Sequence, residues 1–569
     1  MQFLTRTGAR ALVVAACLAG LVTPAHGQQA PAAPLPTPPP PTTQSPAAPP
    51  SGPERPLSIN EAVDLALKQN LGIQIERLNP QLQDYTIAQA LANYTPVFGG
   101  GVNYNNQQQP PSSFLSGSDT TVTSSNFGGN AQVAKFFPWG TNAVVGWDSS
   151  RSTTNNSFSS FNPQLNGNID VQVTQPFLRN FKFDTVREQI FAARKNREIA
   201  DVDLQQSVAL TTRQVKLAYW NYVFALDSLI VSQQSLDLAQ ESLRDTKSRV
   251  EIGTLAPIDV VQAESEVASR EEAVIEAQAS IGQAEDVLRT LIFDPNTPDF
   301  WSMRLKPTDV APFLTQAVDV DAAVKNALND RTDLTAARKR MEITDYDLKY
   351  FKNQTLPNLD LNLRYNTTGL GGTQALRDPN SPQFPPPVIG TIERSYGDVM
   401  KDVFSTKYPT WVLSLNVSYP IGTSIADASY SRAKVSKVQS DINLRDLELN
   451  VTSQVRDAAR QLNANGKRVD ATKAARVLAE RRLEAEEKKF AAGMSTSFEV
   501  FQAQRDLAQA RSNELRAVLD YDISQVNFET VQIAPTNGTT SFAGSQPTTL
   551  GGATTSVISG GASGTTTGP

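Results

Sequence analysis

Two stretches of this chain, residues 185–252 and 425–490, contain no proline, and only Gly466 interrupts their helical pattern. At 1.5 Å of rise per residue, a helix of that length runs for about 100 Å. No ordinary soluble domain needs such an element, so the rest of the fold must accommodate it. The segments that flank the two stretches also repeat. At a shift of 261 residues, Glu61–Leu67 aligns with Ala322–Leu328, Tyr85 with Tyr346, Pro96 with Pro357, and Tyr104-Asn105 with Tyr365-Asn366. At a shift of 240, Gly253 meets Gly493, Asp259-Val260 meets Glu499-Val500, and Gln262-Ala263 meets Gln502-Ala503. The chain is a duplication, and the first half carries 21 extra residues between Pro96 and Gly253.

The N-terminus decides the compartment. Arg6 and Arg10 precede an apolar run from Ala11 to Val22, and Ala25-His26-Gly27 closes it, which is the pattern of a signal peptide spanning 1–27. Val14-Ala15-Ala16-Cys17 also has a lipobox character, so lipidation at Cys17 is an alternative. The only cysteine and the only histidine, Cys17 and His26, fall in this segment. A mature chain without either has no disulfide, no thiol nucleophile, no Ser-His-Asp triad and no His/Cys metal site. No cofactor and no enzymatic activity are expected. Without Arg6 and Arg10 the balance is 49 basic against 57 acidic residues, a net −8, which gives no electrostatic case for nucleic acid. Beyond the signal no apolar run is long enough for a spanning helix, which leaves a periplasmic, extracellular or outer-membrane β-barrel protein.

Residues 28–56 read as a Pro-rich disordered linker and 534–569 as a disordered Gly/Thr/Ser tail. Between them, each half reads as helix, strands, a very long helix, a turn and another long helix. Residues 59–94 are helical by pattern, with Ser58 or Asn60 as the N-cap, and Pro96 stops them. Val97–Asn106 turns to strand. Asn358–Asn366 and Trp411–Tyr419 alternate cleanly as half-buried strands, with 367–410 read as a long loop between them. From Val260, an apolar seam through Ala263, Val267, Val274, Ala277, Ile281, Ala284, Leu288 and Leu291 follows coiled-coil spacing, broken by one polar residue, Arg270. Tyr219, Trp220 and Tyr222 read as packing residues, and Trp139, Trp147 and Trp411 as candidates for an aromatic girdle.

These features together, over residues 57–533, resemble the TolC-like outer-membrane efflux proteins. The resemblance is carried by the helix–Pro–strand openings Ala62–Tyr104 and Ala323–Tyr365, and by the strand exits Val173–Phe177 and Val417–Ile421. It is carried further by Ala218-Tyr219-Trp220, and by the tips Arg249–Gly253 through Asp259–Ala263 and Lys489–Gly493 through Glu499–Ala503. It implies an α+β membrane protein with a duplicated protomer. Residues 57–292 would form the first repeat, 293–320 an equatorial connector and 321–533 the second repeat. Three protomers would share a β-barrel in the outer membrane, continued by a long periplasmic α-helical barrel. The implied function is the exit duct of a tripartite efflux pump or type I secretion system. Its implied partners are a second and third copy, a periplasmic adaptor protein, an inner-membrane transporter and outer-membrane lipid. A non-porous coiled-coil envelope protein is the alternative, and the alternating strands speak against it.

The family pattern of four strands per protomer leaves a surplus here. Asn130–Phe137, the turn Pro138-Trp139-Gly140, and Thr141–Asp148 look like an added hairpin. It reads first as an elaborated extracellular loop; the other reading adds two strands per protomer to the barrel wall. At the tip, the resemblance implies rings of acidic residues around the pore. Glu499 would supply one, and Gln502 stands where a second charge is expected. Glu499 also suits a helix N-terminus on electrostatic grounds alone. Asp259 would join the links that hold the tip closed. Its implied partners are replaced here by Phe490 and Ser495, so the closing network must differ, with Arg249, Lys488 and Lys489 as substitutes. Gly253 and Gly493 are expected at positive φ beside a groove for an adaptor.

Overall fold

The computed structural model describes residues 54–111, 120–296, 300–309, 318–383 and 386–536, all within the unit that begins at Gly52. The signal peptide, Cys17, residues 28–53 of the linker, residues 297–299 and 310–317 of the connector, and the tail from 537 lie outside the described residues.

In chain order, β1 (Glu54–Leu57) leads into α1 (Ile59–Gln69) and α2 (Leu71–Leu91). Four strands follow: β2 (Val97–Gln109), β3 (Val122–Phe136), β4 (Asn142–Thr154) and β5 (Phe161–Pro176). The long helices α3 (Thr185–Glu251) and α4 (Pro257–Ile292) complete the first half, and β6 (Arg304–Pro307) opens the connection. The second half holds α5 (Val320–Asp330), α6 (Thr332–Gln354), β7 (Asn358–Arg377), β8 (Val388–Arg394), α7 (Tyr396–Phe404) and β9 (Pro409–Ser418), then α8 (Ile425–Ala491) and α9 (Ser497–Val531).

The repeat extends to single hydrogen bonds. Ser58 caps α1 by accepting from the Glu61 N–H, and Asp319, its counterpart, caps α5 from the Asp321 and Ala322 N–H groups. The segment read as one helix over 59–94 is broken at Asn70, and the second half breaks at the equivalent Arg331. Asn70 caps α2 and its amide donates to the Leu291 carbonyl at the end of α4. Arg331 donates to the equivalent carbonyl, Val531 at the end of α9. Both breaks therefore tie a short helix pair to the last turn of its own half. Strand β1 begins inside the stretch read as linker. It pairs in parallel with β6 because Tyr219 and Tyr222, both buried on α3, donate their hydroxyls to Leu57 and Leu305 carbonyls at 3.1 and 2.5 Å. These tyrosines are packing residues, as expected. The α4 seam is also as expected: Ala263, Val274, Ala277 and Leu288 are buried, and the polar break Arg270 is occupied by Glu266 at 2.6 Å.

The sheet runs β2-β3-β4-β5-β7, and both β8 and β9 pair with the free edge of β7. Strand β9 pairs Asn358–Thr367 of β7, and β8 pairs Gly372–Arg377. They act as one descending edge strand interrupted by α7. The stretch read as a long loop over 367–410 is thus largely ordered. Its Gly-rich sequence misled because the glycines serve a close approach. A Cβ at Gly167 would lie 3.1 Å from Val399, and one at Gly369 would collide with the Val399 backbone. Val399 and Val403 of α7 sit buried on this glycine floor.

Pairing fixes the faces. One face carries Phe98, Val102, Val133, Val145, Val171, Leu363 and Leu413; the opposite face carries Asn103, Gln132, Asp148, Asn168, Gln172, Arg364 and Asn416. The polar face is knitted by Arg364 to Asp170 at 2.6 Å and Thr174 to Asn362 at 2.8 Å. On the apolar face, Phe98, Val102, Trp411 and Leu413 are exposed in the single chain. Alternation of this kind suits a wall between lipid and water. No helix of the described residues is long and apolar enough to cross a membrane.

The β3–β4 hairpin departs from the loop reading. Its strands are fully paired from Ser124↔Thr154 to Phe136↔Asn142, and its outer edges pair with β2 and β5. Its turn lies at the helix side of the sheet: Phe136 stacks on Tyr94 beyond α2, and Arg187 of α3 donates to the Pro138 carbonyl at 2.8 Å. A hairpin whose turn touches the helices is not a loop at the far end.

Where α3 leaves the sheet, Glu188 stands beside Asp347. Burial, then the neighbouring carboxylate, pushes Glu188 up to about 7. Burial also raises Asp347, whose Oδ1 has no donor among the described residues. A proton kept on Glu188 supplies one. The folded pKa lies above the unfolded value, so this pair's contribution is present at low pH and is lost as pH rises through about 7. Glu188→Gln is expected to stabilise the protein at pH 8 by roughly 1 kcal/mol, discounted for partial exposure, and to change little at pH 5. Melting temperatures at the two pH values check this; equal shifts would refute it.

Candidate functional site at the helical tip

The tip is built from two short turns, α3–α4 and α8–α9. Gly253 and Gly493 close the long helices at φ +79° and +72°, a region where a Cβ is strained. No atom lies within 4 Å of a Cβ built on either, so backbone conformation, and not crowding, requires glycine. Pro257 starts α4 at its first position, where no N–H is needed. Asp259 follows in the first turn of α4. Its carboxylate accepts from the Ala256 N–H at 3.2 Å and from the Ser497 hydroxyl at 2.8 Å. Ser497 is buried at the start of α9. Asp259 therefore caps its own helix and latches it to the other hairpin.

Phe490 and Ser495, the replaced partners, do not reach Asp259 through a hydrogen bond. Ser495 donates to Glu486 at 3.0 Å, within its own hairpin. Phe490 packs beside Leu483, Val500, Ala503 and Leu507, and the Arg249 guanidinium lies 4.5 Å over its ring. Of the three cations considered as substitutes, Arg249 alone is seen to cross between the hairpins, by cation–π contact. Lys488 and Lys489 are spent on Glu484 and Glu486 in their own helix, each at 2.6 Å. Lys489 and the Ser495 hydroxyl hold the Glu486 carboxyl below its ordinary range.

Glu499 is exposed in the first turn of α9 and has no ion pair among the described residues. Gln502 is half-buried and engaged: it donates to Asp506 at 2.9 Å and accepts from Arg505 at 3.1 Å. These lead into a network that the sequence did not announce. Arg505 of α9 pairs with Glu266 of α4 at 3.2 Å, Glu266 pairs with Arg270, and Arg482 of α8 pairs with Asp506 at 2.7 Å. Glu266 is buried, so this is a second latch between the hairpins, one turn or more above Asp259. Its sequence signal was the polar break at Arg270. Among the described residues no cluster of His, Cys, Asp and Glu is arranged to hold a metal.

The fold is matched by known proteins. The outer membrane efflux protein family model matches residues 142–292 and 323–531, well over half of the chain. The chain belongs to that family. Outer membrane protein TolC of Escherichia coli K12 is 24% identical to this efflux protein over 361 residues, 63% of the chain and 68% of TolC. TolC of Salmonella enteritidis is 23% identical over 328 residues, 57% of the chain and 60% of that protein. A membrane protein of Pseudomonas aeruginosa superposes at a TM-score of 0.60 with 15% identity, covering 84% of this chain and 90% of the other. The efflux protein therefore has the TolC-like fold and belongs to the outer membrane.

Proposed function

We propose that this efflux protein is a homotrimeric duct that conducts substrates passively from the periplasm to the exterior. The observation that carries the reading is the pair of open edges. Among the described residues, strand β2 and the β8–β9 edge each pair on one side only, and an open sheet edge is not tolerated in lipid. Each edge continues into a helix with an exposed apolar stripe: Leu71, Ile75, Leu78 and Leu82 on α2, and Val435, Val438, Ile442 and Leu449 on α8. Joining the α2–β2 edge of one copy to the β9–α8 edge of the next satisfies both, and head-to-tail contacts of this kind close into rings. Three copies is the number that the family resemblance supplies. The polar face then lines the lumen.

In this reading the Asp259–Ser497, Arg249–Phe490 and Glu266–Arg505 contacts hold the tip narrow. A periplasmic adaptor docks beside the open turns at Gly253 and Gly493 and strains them apart, and an inner-membrane transporter of a tripartite pump or type I secretion system supplies energy and cargo. The exposed Glu499 carboxylates form one acidic ring about the axis, while Gln502 forms a neutral one. A ring of carboxylates favours cations. The purified protein in planar bilayers is expected to give discrete, cation-preferring channels, and Glu499→Ala is expected to move the reversal potential toward zero. Absence of discrete conductance would overturn the duct; an unchanged reversal potential would overturn the role of Glu499.

A further inference from the structure

We infer that the β3–β4 hairpin is part of the membrane wall, so that three protomers close an eighteen-stranded barrel and cargo size is limited in the helical section rather than in the membrane. The inference rests on the trimeric duct proposed above. Three independent observations carry it.

The first is patterning. Along β3 and β4, Phe127, Val133, Val145 and Trp147 fall on the same face as Leu363 and Leu413, with Lys135 and Arg151 toward the strand ends of that face, while Gln132 and Asp148 fall on the face of Asn168 and Asn416. A soluble elaboration has no need to keep apolar residues on the lipid side in step with its neighbours. The second is length. β3 and β4 have 15 and 13 residues, and a tilted strand needs only about 9–11 to cross the hydrocarbon core. The third is width. Neighbouring strands are about 4.8 Å apart, and a tilt near 40° spreads each over about 6 Å of perimeter. The wall strands β2, β3, β4, β5, β7 and the β8–β9 edge then occupy about 38 Å per protomer. Beneath them, α2, α3, α6 and α8 pack side by side in that order. At 8–10 Å between axes they occupy about 32–40 Å. Six strands match the helical layer; removing the hairpin would leave about 25 Å, and the wall would have to narrow sharply on leaving the helices. At fixed tilt, barrel radius grows about linearly with strand number. Eighteen strands therefore enclose roughly twice the cross-section of twelve. A lumen of that size in the membrane is no tighter than the helical ring below it, so the duct suits bulky hydrated cargo and leaves sieving to the tip.

Introduced cysteines test this cleanly, because Cys17 is the only cysteine of the chain. Val133→Cys and Val145→Cys are expected to react with a membrane-impermeant charged maleimide at least tenfold more slowly than Gln132→Cys and Asp148→Cys, in protein reconstituted in vesicles. Trp139→Cys is expected to stay unlabelled in intact cells until the outer membrane is permeabilised. Leu361→Cys and Asn362→Cys on β7 serve as the reference pair. If the β7 pair alternates and the hairpin positions react alike, or if Trp139→Cys labels from outside, the wall inference is overturned while the duct stands. If the β7 pair also fails to alternate, the barrel reading falls and this inference with it. Electron microscopy of the unaltered protein tests the strand number without any substitution: eighteen strands are expected around the axis, and twelve would overturn the proposal.

Discussion

Arg331→Ala is expected to lower stability by about 3–5 kcal/mol, the cost of leaving buried groups without their charged partner. Arg331 is 1% exposed at the break between α5 and α6. Its guanidinium donates to Asp333 at 3.0 Å, to the Gln454 side chain at 2.6 Å and to the Val531 carbonyl at 3.2 Å. Burial works against its charge and lowers its pKa, and Asp333 offsets only part of that. Removing it strands a carboxylate, an amide oxygen and a helix C-terminal carbonyl at once, so three elements (α6, α8 and α9) lose their common tie. Arg331→Lys keeps the charge but not the fork, since an ammonium is a point donor on a flexible stem. It is expected to fall between wild type and alanine. Thermal unfolding followed by helical circular dichroism checks the order. A loss below about 1 kcal/mol for alanine, the usual range of a surface pair, would show that the cluster does not bear on stability as argued.

Gly369→Val is expected to release α7 from the sheet. The added Cβ meets the Val399 backbone, which cannot rotate aside, and the branched methyls enter the space of Val403. Overpacking of this sort costs about 3 kcal/mol, and 1.4 kcal/mol corresponds to a factor of ten in an equilibrium constant. Opening of α7 should therefore rise about a hundredfold, and tryptic cleavage after Lys401 or Lys407 should accelerate to match. Leu370→Ala is the control. Leu370 pairs with Asn166 and lies on the opposite face, so cleavage should stay within a few-fold of wild type. Equal rates in the two variants would place α7 elsewhere than on the glycine floor.

The parts of the fold that repeat were the parts that could be read. The stops at Pro96 and Pro357 recur at a shift of 261 residues and the tip glycines at a shift of 240, and each carries a local physical meaning, as does the cap at Ser58. Strands β7 and β9 were legible where Leu, Val and Trp alternate with Asn and Ser. Strand β3 was partly hidden because Gly128-Gly129-Asn130 weakens the alternation, and nothing local tells at which end of a sheet a hairpin turns. That was settled by Tyr94 and Arg187, which lie in other elements. Helix α7 was missed because nine residues among Gly and Pro carry little pattern, although the Ser395–Asp398 capping box that starts it was present in the sequence. At the tip, the positive φ of Gly253 and Gly493 was legible. The partner of Asp259 was not, since Ser497 lies 238 residues away and no spacing rule links them.

The two halves have diverged unequally, and the added hairpin shows what is free to change. A hairpin leaves the chain on the side of the membrane where it entered, so it can be gained or lost between β2 and β5 without turning α3 around or moving the tip. In the threefold ring proposed above, each such event adds six staves at once. In that reading, bore in the membrane changes by whole steps while the tip turns at Gly253 and Gly493 stay in register.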